Sequence, residues 1–156
     1  MNKKKFCSFY VSEYHLLTIL LPYIDEQIKN NRSVEIILED DMIDSVIKYI
    51  KRNEKFNTGK IMKLGWKKTR KEYFEIKGNA DVVIIVGKEK FIKEINEINK
   101  KDTNLKEIVN CYNIETLNNL NEVVKEHSFV LKTSGLCEFK KSSHNEQKRK
   151  TIQTQI

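Results

Sequence analysis

The triplet Thr58-Gly59-Lys60 is the stretch of this chain that most invites a chemical interpretation, because it matches the end of a phosphate-binding loop. A complete loop, G-x-x-x-x-G-K-[ST], needs its first glycine for a tight turn, its lysine for the phosphates and its final hydroxyl for Mg²⁺. Glu54 stands at the position of that glycine and Ile61 at the position of the hydroxyl. The stretch also follows a helical pattern and leads into a strand-like one, which is the reverse of the order in a phosphate loop. We therefore predict a solvated helix-to-strand turn here and no magnesium-dependent nucleotide site.

Polar residues that directly follow predicted strands form the second set of candidates. In parallel α/β sheets, ligands bind beyond the carboxyl ends of the strands. The predicted ligand-binding residues are therefore Ser12, Glu13, Asp40, Gly87, Lys88, Tyr112 and Asn113. Asp40 and Asp41 are also placed to cap the helix that follows them. The segment 12–15 contains no glycine, so it offers no phosphate loop after the first strand.

The histidines and cysteines do not have the spacing of a metal site or of a disulfide framework. They are His15, His127, His144, Cys7, Cys111 and Cys137. Cys7 and Cys111 lie inside apolar strand patterns, where a free thiol is typically a small core residue. His127 follows a helical pattern, and we expect a cation there to favour the helix C-terminus. Neither serine nor cysteine has a base paired with it in the local sequence, so we predict no metal, no cofactor and no enzymatic activity.

The net charge of +7 comes from the two ends of the chain. A basic arm covers residues 1–5, and a basic segment, which we predict to be disordered, covers residues 140–156, so residues 6–139 are neutral overall. A neutral body argues against a domain built to bind nucleic acid, which would carry its charge on a folded face. With no signal peptide, and with an apolar run at 15–24 that is too short to span a bilayer, we expect a cytoplasmic protein of one domain.

One internal basic cluster, residues 60–71, is interleaved with aromatic residues. We name Trp66, Lys67, Lys68, Arg70 and Tyr73 as candidate interface residues, because aromatic anchors among steering charges are typical of protein interfaces. Two alternatives stay open. The cluster could be a solvated loop or an edge strand protected by lysines, and Trp66 could pack under the edge of the sheet.

Apolar segments of strand and helix type alternate along the chain. Strands are predicted at 5–11, 34–39, 59–66, 81–87, 107–113 and 128–135, and helices at 12–28, 40–53, 88–101 and 114–127. Such alternation predicts parallel pairing through right-handed crossovers. We therefore predict a single α/β domain over residues 6–139, with a mainly parallel sheet between two layers of helices.

Four segments together resemble the MEDS domain, the methanogen/methylotroph, DcmR sensory domain. They are "FYVSEYHLLTILLPYIDEQI", "TGKIMKLGW", "IVNCYNIETL" and "KEHSFVLKTSG". The family's apolar-Pro-aromatic element is similar to Leu21-Pro22-Tyr23, and its Cys-x-Tyr-like element is similar to Cys111-Tyr112. The family also has a helix that ends in His and is followed by a strand and a Gly, and residues 127–135 are similar to this element. The resemblance covers roughly residues 6–137, and the chain is shortened between its third and fourth predicted strands.

This resemblance implies a RecA-like fold whose nucleotide-hydrolysing motifs are degraded. It also implies a sensory or regulatory domain that binds a small-molecule signal or a protein partner. No output domain is visible in the chain, so we expect transmission through an interface, either to a second copy or to another protein. Two alternatives from other classes remain: an ATPase-like nucleotide-binding enzyme, and a nucleic-acid-binding regulator that uses the cluster 60–71 and the basic tail.

Overall fold

The computed structural model describes residues 3–53, 55–56, 58–66 and 80–138. Its strands are β1 (Lys4–Tyr10), β2 (Val34–Leu38), β3 (Val82–Gly87), β4 (Glu107–Asn113), β5 (Phe129–Lys132) and β6 (Gly135–Glu138). Its helices are α1 (Glu13–Lys29), α2 (Ile43–Arg52), α3 (Thr58–Met62), α4 (Glu89–Asn99) and α5 (Leu120–Lys125), with a 3₁₀ turn at Ile114–Thr116. Residues 1–2 of the arm predicted over 1–5 and the whole tail predicted over 140–156 lie outside the described residues, whereas Lys4 and Lys5 already belong to β1.

The described strands form one sheet in the order β2-β3-β4-β1-β5-β6. The first five of these strands are parallel, and β6 runs antiparallel to β5. The predicted α/β class with a mainly parallel sheet is therefore confirmed. Strand β1 lies in the interior of the sheet, where Phe6 is opposite Val109 of β4 on one side and Phe129 of β5 on the other.

The two faces of the sheet are each covered by helices, which gives a three-layer domain. The first five residues of β3, all Val or Ile, are buried, as expected for a strand with helices on both sides. On one face Ile84 packs with Leu16 and Leu20 of α1. On the other face Ile85 packs with Phe91 and Ile95 of α4. The apolar faces of the helices, which repeat every 3.6 residues, thus pack on the two faces of the sheet, between which strand residues alternate. This packing forms two separate cores.

The amino edge of the sheet is fixed by a half-buried ion pair. Arg32 Nη1 lies 2.9 Å from Glu107 Oε1, and the Tyr23 hydroxyl donates to Glu107 Oε2 over 2.9 Å. Burial, followed by the charge of Glu107, raises the pKa of the Tyr23 phenol, which keeps it a hydrogen-bond donor. These contacts hold the last turns of α1 against the start of β4.

The strand that we predicted over residues 59–66 is wrong. Residues Thr58–Met62 form the short helix α3 instead, and the segment folds under α1. Trp66 is fully buried, its Nε1 donates to the Ile61 carbonyl over 2.9 Å, and its own carbonyl accepts the Met42 N–H. Ile61 and Trp66 are buried in the same core, and the stability gained from this burial outweighs the preference for a strand that the alternating sequence indicates.

The burial of Trp66 also corrects its assignment as an interface residue, since a side chain with no exposed surface cannot anchor a partner. The other candidate interface residues, Lys67, Lys68, Arg70 and Tyr73, lie outside the described residues.

The C-terminal elements are shorter than we predicted. The predicted helix 114–127 is a 3₁₀ turn followed by the six-residue helix α5. The predicted strand 128–135 is a hairpin, because the chain reverses after β5 and returns as β6. Gly135 opens β6 with φ of +109°, a conformation that favours glycine over all other residues.

His127 is not the exposed cation that we expected at a helix end. It is buried, its Nδ1 lies 2.5 Å from the Val123 carbonyl, and its Nε2 lies 2.9 Å from Asn110 Nδ2. Burial lowers its pKa to about 4, and the nearby charge of Lys5 lowers it further, against the opposing effect of the Val123 carbonyl. The imidazole is therefore neutral at physiological pH.

We expect Trp66→Ala to lower the free energy of unfolding by roughly 3–5 kcal/mol, because it leaves a large cavity between α1 and α3. Urea unfolding followed by circular dichroism measures this loss. Lys60→Ala, which changes an exposed residue of α3, is the control and should leave stability nearly unchanged. Wild-type stability in Trp66→Ala would show that the indole does not hold this segment in place.

We expect the free energy of unfolding to decrease as the pH is lowered from 6.5 to 4, because of the buried His127. The unfolded His, with a pKa near 6.5, binds a proton in this window while the folded His does not, so acid favours unfolding. A folded-state pKa of about 4 corresponds to a loss of up to about 3 kcal/mol in the free energy of unfolding. Urea unfolding across this window should give a steeper pH dependence for the wild type than for His127→Gln. Equal slopes would mean that His127 titrates normally.

Candidate functional site

A cavity of about 170 Å³ lies at the carboxyl edge of the sheet, beyond the ends of β1, β3 and β4. Its lining residues are Tyr10, Ser12, Glu13, Asp40, Met42, Val86, Gly87 and Asn113. Five of the seven predicted ligand-binding residues thus meet around one space: Ser12, Glu13, Asp40, Gly87 and Asn113. The structure therefore brings these five residues together, and their role in binding a ligand stays a prediction.

The position of Ser12 and Glu13 follows from the start of α1. Ser12 is the N-cap residue, and its Oγ accepts the His15 N–H over 3.1 Å. The ring of His15 turns back, and its Nδ1 accepts the Val11 N–H over 3.1 Å. Glu13 Oε2 accepts the Ser45 hydroxyl over 2.7 Å, which ties the start of α1 to α2.

The approach of Glu39 to Gly87 shapes the middle of the site. Glu39 Oε1 accepts the Lys88 N–H over 2.8 Å. A Cβ on Gly87 would lie 2.9 Å from that oxygen and 2.7 Å from Phe91 Cδ2. Only a residue without a side chain leaves room for the Glu39 carboxylate to cross the end of β3.

Side chains of the protein itself accept a backbone N–H at the start of the four segments that follow β1, β2, β3 and β4 at this edge. Besides Ser12 on α1, Asp41 accepts the Ile43 N–H at 2.9 Å, and Asn113 accepts the Glu115 N–H at 3.0 Å. Glu39 does the same for α4 at the Lys88 N–H. Asp41 thus bonds the first N–H of α2, although the N-cap residue is Met42 and not Asp40 or Asp41 as predicted, and Asp40 lines the cavity. At each of these starts, one of the backbone N–H groups that commonly bind phosphate is therefore already bonded.

The electrostatic environment of the cavity is negative. Glu13 and Asp40 line it, and its lining contains neither lysine nor arginine among the described residues. Burial raises the pKa of the Tyr10 phenol, and Cys111 and the carboxylates of Asp40, Glu13 and Glu39 raise it further. Tyr10 therefore stays protonated and is available as a donor at the cavity wall.

Lys88 and Tyr112, the other two of the seven candidates, do not line this cavity, and their role in binding stays a prediction. The side chain of Lys88 is exposed at the start of α4. Tyr112 lies on the opposite face of the sheet, where its ring stacks against Phe9 with 6.0 Å between centroids. Successive strand residues alternate between faces, so Asn113 reaches the site and Tyr112 does not.

Three lining residues were not among the candidates: Tyr10, Met42 and Val86. Tyr10 and Val86 lie inside the predicted strands 5–11 and 81–87, and the candidates were chosen from the ends of the strands and the residues that follow them. The signal that could have found Tyr10 is its place as the last residue of β1, on the face that α1 covers.

The described residues offer neither a metal centre nor a nucleophile with a base. No group of three or more His, Cys, Asp or Glu side chains lies together among them. The Ser12 and His15 side chains are neighbours, but each accepts a backbone N–H, so the imidazole is not positioned to take a proton from Ser12. The thiols of Cys7 and Cys111 are buried, and burial raises the pKa of both. Among the helices described, none has the length and apolar character needed to cross a bilayer.

We expect Gly87→Ala to destabilise the protein by about 1–3 kcal/mol, because the new Cβ overlaps the Glu39 carboxylate and the Phe91 ring. Thermal unfolding measures this loss, with exposed Lys88→Ala as the control. In a Glu39→Ala background the same substitution should cost less, since the clash with the carboxylate is gone while the contacts with Phe91 and the Cβ of residue 39 remain. A Gly87→Ala protein as stable as wild type would contradict this close approach.

Comparison of the chain with protein-family models, with curated proteins and with solved structures returns no match. The resemblance to the MEDS domain therefore stays a prediction, and the case for function depends on the site itself.

Proposed function

We propose that this chain is a non-enzymatic sensory or regulatory domain that binds a small, neutral or positively charged molecule in the carboxyl-edge cavity. The observation that carries the proposal is the combination of two carboxylates with helix starts at each of which one backbone N–H is already bonded to a side chain of the protein. Such a site repels phosphate and offers the Asp40 carboxylate and the second oxygen of Glu13 to the hydrogen-bond donors of a ligand.

The chemistry of the lining indicates the ligand class. Glu13 and Asp40 suit an ammonium group, while Tyr10 and Asn113 supply further hydrogen-bonding positions. Met42 and the end of β3 add an apolar wall for a short alkyl chain. A small alkylamine or amino alcohol has this combination of charge and apolar surface.

The volume of the cavity supports the same class. Drug-sized ligands occupy sites of about 300–1,000 Å³, and this cavity measures about 170 Å³. A nucleotide is too large to be enclosed here, and its phosphates would face Glu13 and Asp40. The resemblance to a sensory family with degraded hydrolysis motifs points the same way, as does the incomplete loop at Thr58-Gly59-Lys60.

The nucleic-acid-binding alternative depends on residues 67–71 and on the tail, which lie outside the described residues, so it remains a competing hypothesis. The experiment below includes it for that reason.

We expect ethanolamine or putrescine to raise the melting temperature, and expect inorganic phosphate, Mg²⁺-ATP and short DNA duplexes to leave it unchanged. A ligand present at a hundred times its dissociation constant stabilises by about 2.7 kcal/mol, which a thermal-shift assay detects readily. Stabilisation by Mg²⁺-ATP would favour the nucleotide enzyme, and stabilisation by DNA would favour the regulator. Either result in place of an amine effect would overturn the proposal.

The double variant Glu13→Gln, Asp40→Asn should remove amine binding, because it keeps hydrogen-bonding atoms but deletes both charges. Glutamine can still accept the Ser45 hydroxyl, so the fold should persist. Asp44→Asn, which removes an exposed carboxylate of α2 outside the cavity, is the matched control and should bind normally. Loss of binding in the control as well would indicate a general charge effect and not a specific site.

A further inference from the structure

Two neighbouring strands each end at the carboxyl-edge cavity with a side chain that can donate a hydrogen bond. Tyr10 is the last residue of β1 and Asn113 is the last residue of β4, and the parallel register places them opposite each other. Adjacent strands lie about 4.8 Å apart, and residues opposite each other in a parallel pair point to the same face of the sheet. Both side chains line the cavity, so they reach the same small space.

The orientation of the Asn113 amide is fixed by the backbone. The Glu115 N–H can only donate, so the Asn113 atom that lies 3.0 Å from it is the oxygen Oδ1. The nitrogen Nδ2, which carries two hydrogens, is therefore the other end of the amide. Within the described part of the chain, Nδ2 makes no hydrogen bond, which leaves both hydrogens for a ligand.

The Tyr10 hydroxyl is the second donor. Burial raises the pKa of this phenol, and the nearby carboxylates of Asp40 and Glu13 add to the effect, so the hydroxyl keeps its proton. The hydroxyl makes no hydrogen bond to any of the residues that the structure describes. Its hydrogen is therefore also left for a ligand.

A ligand in the cavity can reach both donor atoms. Among the described residues, the side-chain atoms that are shielded from solvent and lack a partner include neither Tyr10 Oη nor Asn113 Nδ2. Because neither atom has a partner among those residues, both keep accessible surface. The Ser12 hydroxyl lines the cavity as well, but its oxygen already accepts the His15 N–H and its side chain is exposed, so water can satisfy it.

The two donors complement the two carboxylates of the site. An ammonium group bound by Glu13 and Asp40 leaves the rest of a short ligand beside Tyr10 and Asn113. An oxygen atom at that position can accept from both donors through its two lone pairs. A methylene group there would displace water from both donors without replacing its hydrogen bonds, which lowers the affinity.

We propose that Tyr10 Oη and Asn113 Nδ2 are specificity-determining donors, which select amines that carry an oxygen acceptor, namely amino alcohols and amino ethers, over plain alkylamines. This selectivity rests on the proposed function, since the ammonium group of the ligand still binds Glu13 and Asp40. The carboxylates discriminate between ligands of different charge. The two donors discriminate between ligands of equal charge and size.

Matched amines with and without the oxygen test this selectivity by isothermal titration calorimetry. The pairs are ethanolamine with n-propylamine, and 2-methoxyethylamine with n-butylamine. In each pair a methyl or methylene group replaces the oxygen, and all four amines carry one positive charge at pH 7. We expect the oxygen-bearing amine of each pair to bind about tenfold more tightly. The methoxy amine has no O–H, so a preference for it means that the protein donates and the ligand accepts.

The outcomes of this titration separate the selectivity from the proposed function. Equal affinity within either pair overturns the role of the two donors but leaves amine binding in the cavity in place. Failure of all four amines to bind overturns both.

Tyr10→Phe tests the phenol, because it removes only the hydroxyl and keeps the ring that packs against the core. We expect this variant to bind n-propylamine as the wild type does and to lose most of its preference for ethanolamine. Tyr14→Phe removes the hydroxyl of an exposed tyrosine outside the cavity, and as the matched control it should keep the full preference. A tenfold preference that persists in Tyr10→Phe would show that Tyr10 does not donate to the ligand, and the proposal would be wrong.

Asn113→Asp tests the amide, because it keeps an oxygen for the Glu115 N–H and replaces Nδ2 with a second oxygen. Its extra negative charge strengthens the binding of all four amines, so the readout is the ratio of affinities within a pair. We expect this ratio to fall towards one, since a carboxylate oxygen repels the oxygen of the ligand. An unchanged ratio would contradict the role of Nδ2. The wild-type ratios decide the selectivity even if a variant does not fold.

Discussion

The site depends on how the backbone N–H groups at the starts of the helices are satisfied. In a parallel sheet with helical crossovers, these starts gather at the carboxyl edge, and their first N–H groups have no partner within the helix. Ser12, Glu39, Asp41 and Asn113 each accept one of these groups. The same edge binds phosphate in many α/β proteins through those N–H groups, so using side chains there changes which ligands the fold can accept.

The parts of the structure that could be predicted from sequence are those set by local pattern and by connectivity. The continuous β-branched run of β3 and the apolar stripe of α1 required a covered parallel sheet, and the sheet is present. The rule that ligands bind at the carboxyl edge needs no knowledge of strand order, and for that reason the sequence alone groups Ser12, Asp40 and Asn113. It could not assign faces, and Tyr112 was therefore included although its side chain points to the other side.

The parts that could not be predicted depend on contacts between segments distant in sequence. The sequence around Trp66 gives no sign that this side chain packs beneath α1. Its strand-like pattern predicted a strand of the sheet instead. Likewise His127 looked like a helix-terminal cation, because its burial, which keeps it neutral, and its contact with Asn110 both depend on the sheet, which the local sequence does not show. Gly135 alone could have signalled the hairpin, since a glycine after a strand often marks a reversal.

The place of β1 inside the sheet has a consequence for how the chain folds. Both neighbours of β1 come from the C-terminal part of the chain: Lys4 pairs with Glu107, and Cys7 pairs with Val130. Closing such long loops costs entropy before any contact compensates for it, which makes folding slow. During synthesis, β1 and the apolar face of α1 therefore emerge long before their partners exist. Until β4 leaves the ribosome, the N-terminal part has no sheet to join, and chaperone binding to its exposed apolar face would protect it from aggregation.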